Sequence, residues 1–210
     1  MNFAKHALPA AAIFAIVACG QSANGQSEET DQTGFTATSG VYSVEPGHRY
    51  ITFSYSHGGY SHPLLRWRAW EGELDWNAEN PAASSVSVTI DASSIDTGVD
   101  EFDGHLQDDR FFDVANHPQI TFVSTALEKT SDSTGTMIGD LTIKGITKPV
   151  ELDVVFNKDG LDERQSLYKL GFSAKASVNR SEFGMGLAVP FVSDEVDIVI
   201  EAEFVMPAGE

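Results

Sequence analysis

The segment "IGDLTIKGITKPVELDVVF", residues 138–156, decides the fold class of this chain. Leu141 and Ile143 alternate with polar neighbours before a short break at residues 145–149. After the break, apolar side chains return at every second position, at Val150, Leu152, Val154 and Phe156. This two-residue period predicts two β-strands, each with one apolar face. Those faces must pack against other protein or against something that the protein encloses.

The same alternation recurs along most of the chain. The further strand segments are residues 50–57, 86–91, 120–124, 168–175 and 196–204. Residues typical of turns are concentrated between them, at 77–83, 131–135 and 157–162. The pattern therefore predicts about eight short strands joined by turns, which is typical of an antiparallel all-β protein.

One segment breaks the strand rhythm and predicts a helix at residues 99–109. Phe102 and Leu106 are four residues apart, so a helix would place them on one face. Thr97 and Asp100 have the spacing of a capping box at its start. One helix beside many strands does not suit a parallel α/β sheet. It suits a sandwich or a closed barrel, and a barrel leaves no strand edge exposed.

Composition excludes one class of partner. The chain of 210 residues has 13 Lys and Arg against 31 Asp and Glu, for a formal charge of −18. A surface this acidic repels phosphate backbones, so we expect no nucleic-acid partner. The length allows one ordinary domain or at most two.

The N-terminus predicts export. Lys5 precedes a run of small and apolar residues at 7–18, which is too short to span a bilayer and is typical of a secretory leader. The run ends at Cys19, the only cysteine. This arrangement resembles the lipobox of bacterial lipoproteins, which implies cleavage of residues 1–18 and acylation of Cys19. The alternative is ordinary secretory cleavage with an unmodified thiol.

Residues 19–39 are polar and almost free of large apolar side chains, which predicts a flexible tether. With an acylated Cys19 this tether would attach the protein to a membrane. The residue after the cysteine is Gly20, whereas an Asp there would, by resemblance to enterobacterial lipoproteins, suggest inner-membrane retention. We therefore expect a lipid-anchored periplasmic protein, at the outer rather than the inner membrane.

From residue 40 to residue 204 the chain resembles the YceI-like family of polyisoprenoid-binding, lipocalin-like barrels. Four ordered blocks carry the resemblance: "YSVEPGHRYITFSYSH" (42–57), "SIDTG" with "FDGHLQDDRFFDVANHPQITFVS" (94–98 and 102–124), "GDLTIKGITKPVELDV" (139–154), and "NRSEFGMG" with "VSDEVDIVIE" (179–186 and 192–201). The stretch "YSHPLLRWRAWEG" (60–72) departs from the family by being richer in Trp and Arg.

The resemblance implies an antiparallel eight-stranded lipocalin-like β-barrel with one short helix, spanning residues 40–206. Its lumen would hold a polyisoprenoid or another long-chain lipid, and no other cofactor is expected. The predicted ligand-binding residues are Phe53, Tyr55, His57, Phe102, Leu106, Phe111, Phe122, Leu141, Phe172, Arg180 and Phe183. The alternative for each ring is a filled core, since an eight-stranded barrel is just wide enough for its own side chains or one slender ligand.

Three polar side chains are candidates for orienting a ligand head group. Arg180 could neutralise a phosphate or carboxylate, although it could equally form a salt bridge with one of the many acids. His57 continues the apolar face of its strand and would lie at the rim, where an ordinary hydrogen bond is the alternative. His105 flanks Leu106 on the helix, with capping or core hydrogen bonding as the alternative.

Catalysis and metal binding have little support in the sequence. His57 and His62 are five residues apart and would face opposite sides of a regular strand. The acids at 100–113 lack the spacing of a calcium loop. No Gly-x-Ser-x-Gly, His-Glu-x-x-His or phosphate-binding glycine motif is present. We expect neither a metal site nor an enzyme.

The leading hypothesis is a lipid-anchored barrel that binds, stores or transports a long-chain amphiphile in the periplasm. One rival is an enzyme or accessory protein that acts on an isoprenoid or lipid substrate. The other is a structural lipoprotein whose barrel is filled by its own side chains. The oligomeric state stays open, a homodimer included.

Overall fold

The computed structural model describes residues 34–209, which form one antiparallel sheet with a single α-helix. The helix, α1 (Asp100–Gln107), lies between the fifth and sixth strands. The strands are β1 (Gly40–Ser54), β2 (Leu64–Trp67), β3 (Trp70–Trp76), β4 (Ser85–Asp91), β5 (Ile95–Asp96), β6 (Gln119–Lys129), β7 (Thr134–Ile143), β8 (Ile146–Asp162), β9 (Leu167–Asn179) and β10 (Glu195–Pro207).

The sheet closes on itself because β1 pairs with β10. The start of β1, Gly40–Ser43, pairs with β3, whereas the end of β1, Ile51–Ser54, pairs with β2. β2 and β3 are therefore two halves of one bent strand, and β4 and β5 are related in the same way. Counting each bent strand once gives the predicted eight-stranded antiparallel barrel with one helix.

The hairpin of β7 and β8 has the predicted alternation but a shorter turn than expected. Ile143 pairs with Ile146, and only Lys144 and Gly145 lie between them, both with positive φ (51° and 71°). Positive φ at both positions is what a tight two-residue hairpin requires. The predicted break at 145–149 is wrong, because residues 146–149 already pair with β7; even Pro149 lies opposite Asp140.

A second predicted turn is also wrong. Residues 157–162 continue β8, which stays paired with β9 through a bulge between Phe156 and Lys158. The extra residue of a bulge lets a strand bend without losing its partner. The chain turns only at residues 163–166. The predicted turns at 77–83 and 131–135 lie at or beside the loops that follow β3 and β6.

Helix α1 confirms the predicted helix, but not its cap. No side chain caps Val99, the residue before the first turn. Instead the Asp103 carboxylate accepts a hydrogen bond from the Thr97 backbone N–H (2.7 Å), and the Thr97 hydroxyl bonds to Val99. The predicted capping box of Thr97 and Asp100 is therefore wrong, because the loop places Asp103, and not Asp100, within reach of Thr97.

The inward faces of the strands build the interior. Tyr42, Leu65 and Leu170 on the strands and Phe183 in the turn after β9 are almost completely buried, and each fully buried apolar side chain of this size contributes about 2 kcal/mol. With about 3.3 Å per residue and a tilt near 40°, the 13 residues of β10 give a barrel about 33 Å long. Within residues 34–209, no helix is long and apolar enough to cross a membrane.

Candidate functional site

The interior of the barrel contains two adjoining cavities. The first, which we call the mouth cavity, has a volume of about 190 Å³ and lies beside α1 and the loop at residues 184–194. The second, the deep cavity, has a volume of about 180 Å³ and lies further along the barrel. Trp67, Ile143 and Ile198 line both. The barrel therefore encloses a hollow and is not filled completely by its own side chains.

The mouth cavity brings together eight of the predicted ligand-binding residues. The end of β1 and the residues after it supply three, α1 and the loop that follows supply three, and the turn after β9 supplies two: Phe53, Tyr55, His57, Phe102, Leu106, Phe111, Arg180 and Phe183. Strand alternation aims Phe53 inward, and Tyr55 and His57 follow at the same two-residue spacing beyond the end of β1. The four-residue spacing of Phe102 and Leu106 gives α1 its inward face. Residues from three distant parts of the sequence thus share one cavity.

Arg180 is the buried charge at this cavity, and the structure gives it a third role that the sequence did not suggest. It is 8% exposed, and no carboxylate lies within salt-bridge distance of it among the described ion pairs. Its guanidinium donates to three backbone carbonyls, those of Met185, Val192 (3.0 Å) and Ser193 (2.9 Å). Arg180 therefore holds the loop at 184–194 against the barrel.

The electrostatics of the mouth follow from this burial. Burial lowers the pKa of the Arg180 guanidinium, an effect that Asp194 and Tyr55 oppose. Burial also raises the pKa of the Tyr55 phenol, which the charge of Arg180 opposes. Five N–H groups belong to an arginine side chain, and three are engaged by carbonyls. A fixed positive charge thus stands at the wall of an otherwise apolar cavity.

The two histidine candidates occupy different positions. His57 is exposed at the mouth of the barrel, where its ring packs edge-on against the ring of Phe191 with 5.8 Å between centroids. Its backbone bridges to Ser61 and Val192, so it lies beyond the regular end of β1. His105 is exposed on α1, so the alternative of a core hydrogen bond is wrong. Among residues 34–209, no three His, Cys, Asp or Glu side chains are grouped to hold a metal ion.

The deep cavity contains the other three predicted residues, Phe122, Leu141 and Phe172. The atoms that face this cavity are all apolar. Trp67, Trp70 and Trp76 line it too, and their indole nitrogens are buried without a hydrogen-bond partner in the described structure. Since these nitrogens are covered by neighbouring atoms, the deep cavity offers a ligand dispersion contacts and no hydrogen bonds.

Phe35 closes the far end of the barrel, which we call the base. Its ring packs edge-on against Trp76 and Phe156, with centroids 5.0 and 5.2 Å apart. The Asp159 carboxylate accepts hydrogen bonds from the backbone N–H groups of Thr36 and Ala37 (2.8 Å for Ala37). A cavity of about 70 Å³ beside Phe35 shares Trp76 and Phe172 with the deep cavity.

The predicted tether at residues 19–39 extends into this closure. Within residues 34–39, Phe35 and Ala37 pack against the core at the base, and Ala37 is only 1% exposed. The rest of the predicted tether, the predicted leader at 1–18 and the predicted acylation site Cys19 lie outside the described residues.

Several lining residues were not predicted from the sequence. At the mouth these include Trp67, Phe112 and Met185, and at the base Phe35 and Trp76. The Trp-rich stretch at 60–72 was the available signal, because Trp67 and Trp70 fall on its inward face. Phe35 gave no signal, since it stands alone in a polar segment.

Comparison with known proteins assigns the family. A UPF0312 protein of Pseudomonas savastanoi pv. phaseolicola is 34% identical over 163 residues, which are 78% of this chain and 84% of that relative. BcnA of Burkholderia cenocepacia has a similar structure, with a TM-score of 0.69, 22% identity, and coverage of 76% of this chain and 98% of that one.

A polyisoprenoid binding domain from Saccharophagus degradans shares the fold at a TM-score of 0.60 and 12% identity, covering 79% of this chain and 98% of that one. The family model of the YceI-like domain matches residues 42–204, which is most of the chain and nearly all of the barrel. The chain belongs to the YceI-like domain family.

Proposed function

We propose that this protein binds an amphiphile with a long hydrocarbon tail, with the tail in the two cavities and the head group at the mouth. The observation that carries the proposal is the pair of adjoining cavities, the deeper one with an entirely apolar wall. A polyisoprenoid or another long-chain lipid fits this chemistry. The fold shared with a polyisoprenoid binding domain of Saccharophagus degradans supports the same class of ligand.

The cavity volumes limit what the barrel can hold. Together the two cavities have about 370 Å³, near the lower end of the roughly 300–1,000 Å³ that is usual for small-molecule sites. This is room for one slender chain and not for two. Burying all methylenes of a forty-carbon tail would contribute about 30 kcal/mol of binding free energy, which is beyond the ceiling of about 20 kcal/mol for non-covalent binding. We propose that part of such a tail stays outside the lumen.

The head group would lie near Arg180 and Tyr55. Arg180 supplies a positive charge, but three of its donors are already engaged with loop carbonyls. Its contribution to an anionic head group is therefore long-range attraction, supplemented by the remaining N–H groups. Affinity comes mainly from the tail, and the mouth sets the orientation. We propose a binding and transport role and not a catalytic one.

Intrinsic fluorescence offers a direct test, because all three tryptophans line the deep cavity. Alkyl and prenyl phosphates of increasing length are titrated into the protein. Each two added carbons should tighten binding by about 1.6 kcal/mol, or roughly fifteenfold, until the cavities are full. Affinity should then stop rising. No fluorescence change with any chain length, together with an apo mass for protein purified from its own envelope, would refute the proposal.

We also propose that the protein is lipid-anchored in the periplasm, at the outer membrane. The support is the apolar leader ending at Cys19 and the Gly20 that follows it. Growth with an alkyne-labelled fatty acid should label the parent and leave a Cys19→Ser variant unlabelled. Unlabelled parent protein in the soluble periplasmic fraction would contradict the anchor and leave the ligand proposal unaffected.

A further inference from the structure

Apolar side chains that project into solvent flank one side of the mouth of the barrel. They lie on two loops, residues 55–63 and 184–192, and at the start of β2. We call this group the rim; its members are Tyr60 (87% exposed), Leu64 (78%), Phe191 (60%), Leu187 (49%) and Val189 (37%). Exposed apolar groups that are clustered, unlike single ones, mark interaction surfaces.

The rim is held in place by hydrogen bonds. The backbone N–H of Gly58 donates to the carbonyl of Phe191 (2.9 Å), and the N–H of Ser193 donates to Ser56 (2.9 Å). Arg180 binds the carbonyls of Met185 and Val192 in the second loop and that of Ser193 directly after it. These bonds join the two loops and keep the rings of the rim exposed. The exposure is therefore a property of the folded barrel and not of a loose segment.

The segments that carry the rim contain no acidic residues. Residues 55–68 contain Arg66 and Arg68 but no Asp or Glu, and residues 183–192 contain no Asp, Glu, Lys or Arg. The chain as a whole has 31 acids. The acids near the mouth belong to α1, to β5, where Asp96 pairs with Arg66 and Arg68, and to the flanks of the second loop, where the Asp194 carboxylate is held by Ser181. The rim can thus leave water without burying a carboxylate.

The open end of the lumen adjoins the rim. Leu187, Ala188 and Val192 belong to the second loop and also line the mouth cavity, so the exposed apolar surface continues into the lumen. The other end is covered by Phe35. An amphiphile that enters the barrel therefore has an apolar route at the mouth.

From these observations we infer that the rim is a membrane-docking surface, which inserts into the headgroup and acyl boundary of a bilayer so that the ligand passes directly between bilayer and lumen. This inference rests on the proposed function for the identity of the ligand. Aromatic and aliphatic side chains with cationic neighbours are the composition of interfacial membrane-binding surfaces. Arg66 and Arg68 are more than half exposed beside Leu64, and both face Asp96, which Arg66 binds at 2.8 Å. Two cations against one acid leave a net positive charge next to the rim.

The test uses the full chain carrying Cys19→Ser, so that no acyl group contributes to membrane binding. Sedimentation with vesicles of phosphatidylethanolamine and phosphatidylglycerol measures partitioning. The double variant Tyr60→Ser, Phe191→Ser should partition at least about tenfold more weakly, since each ring loses its apolar burial in the bilayer. The matched control is Tyr50→Ser, Val155→Ser, whose side chains are exposed on the barrel wall (49% and 40%) and should have no effect.

Each outcome decides the inference. A tenfold loss confined to the rim variant supports it, whereas equal partitioning of the rim variant and its parent overturns it. An equal loss in the control overturns it too. A dimer that sedimentation velocity detects in the parent but not in the rim variant would assign the rim to a second copy. Titration of a short-chain prenyl phosphate without vesicles separates the two proposals, since the rim variant should still bind it.

Discussion

Substituting Ala174 by Phe should block the deep cavity and abolish binding of long tails. Ala174 lies in the middle of β9, is 9% exposed, and pairs with Ile200 and Val154. Its side chain points into the deep cavity of about 180 Å³. A phenyl ring there occupies space that about five methylenes of a ligand would otherwise fill.

The expected loss follows from burial. Five methylenes at about 0.8 kcal/mol each give about 4 kcal/mol, or roughly a thousandfold in Kd. The barrel itself should remain folded, because the ring enters an existing space; overpacking costs typically about 1–3 kcal/mol. Tryptophan fluorescence titrated with a long-chain prenyl phosphate measures the affinity, and urea denaturation measures the stability.

The control is Ala126→Phe, the same substitution at an exposed position on β6. It should bind the ligand as the parent does. The reasoning is refuted if Ala174→Phe folds normally and its Kd stays within threefold of the parent value, or if Ala126→Phe weakens binding equally. The first result would mean that the tail does not enter the deep cavity, and the second that the loss of binding does not come from filling it.

Three further predictions concern stability and closure. Arg180→Met should lower the free energy of unfolding by about 3 kcal/mol in urea denaturation, because three loop carbonyls lose their donor, and a loss below 1 kcal/mol would contradict this. Burial raises the pKa of Tyr42, whose hydroxyl donates to the Thr38 carbonyl (2.7 Å). The unfolded chain therefore releases this proton first, so the thermal midpoint should fall as the pH rises above about 10, and fall less in Tyr42→Phe. Phe35→Ala should open the base and cost about 2 kcal/mol, with acrylamide quenching of Trp76 fluorescence increasing; unchanged quenching would show that the ring does not seal it.

The strand faces and the family were predictable from the sequence, because strand alternation is a local property. Leu141, Phe172 and their neighbours needed only a period of two to be placed inward. The ends of elements were less predictable. The sequence at 157–162 is typical of a turn, yet β8 continues through it, since pairing with β9 outweighs local preference.

The role of Arg180 shows another limit. An arginine in an acidic chain suggested a carboxylate or a ligand head group as its partner. The actual partners are carbonyls of a loop that starts four residues later, and backbone groups carry no sequence signal. The contacts of Phe35 were equally unpredictable from the sequence, because its ring meets Trp76 and Phe156 only once three distant segments come together at the base.

The sequence by itself determined the fold class, the family and which face of each strand points inward, since these follow from local periodicity and ordered motifs. Only the tertiary structure decided that the interior is hollow, how large the two cavities are, and which end is closed. Those properties are differences between the volume that the closed sheet encloses and the volume of the side chains that fill it. No single segment of the sequence contains that difference, because it depends on all eight strands of the barrel at once.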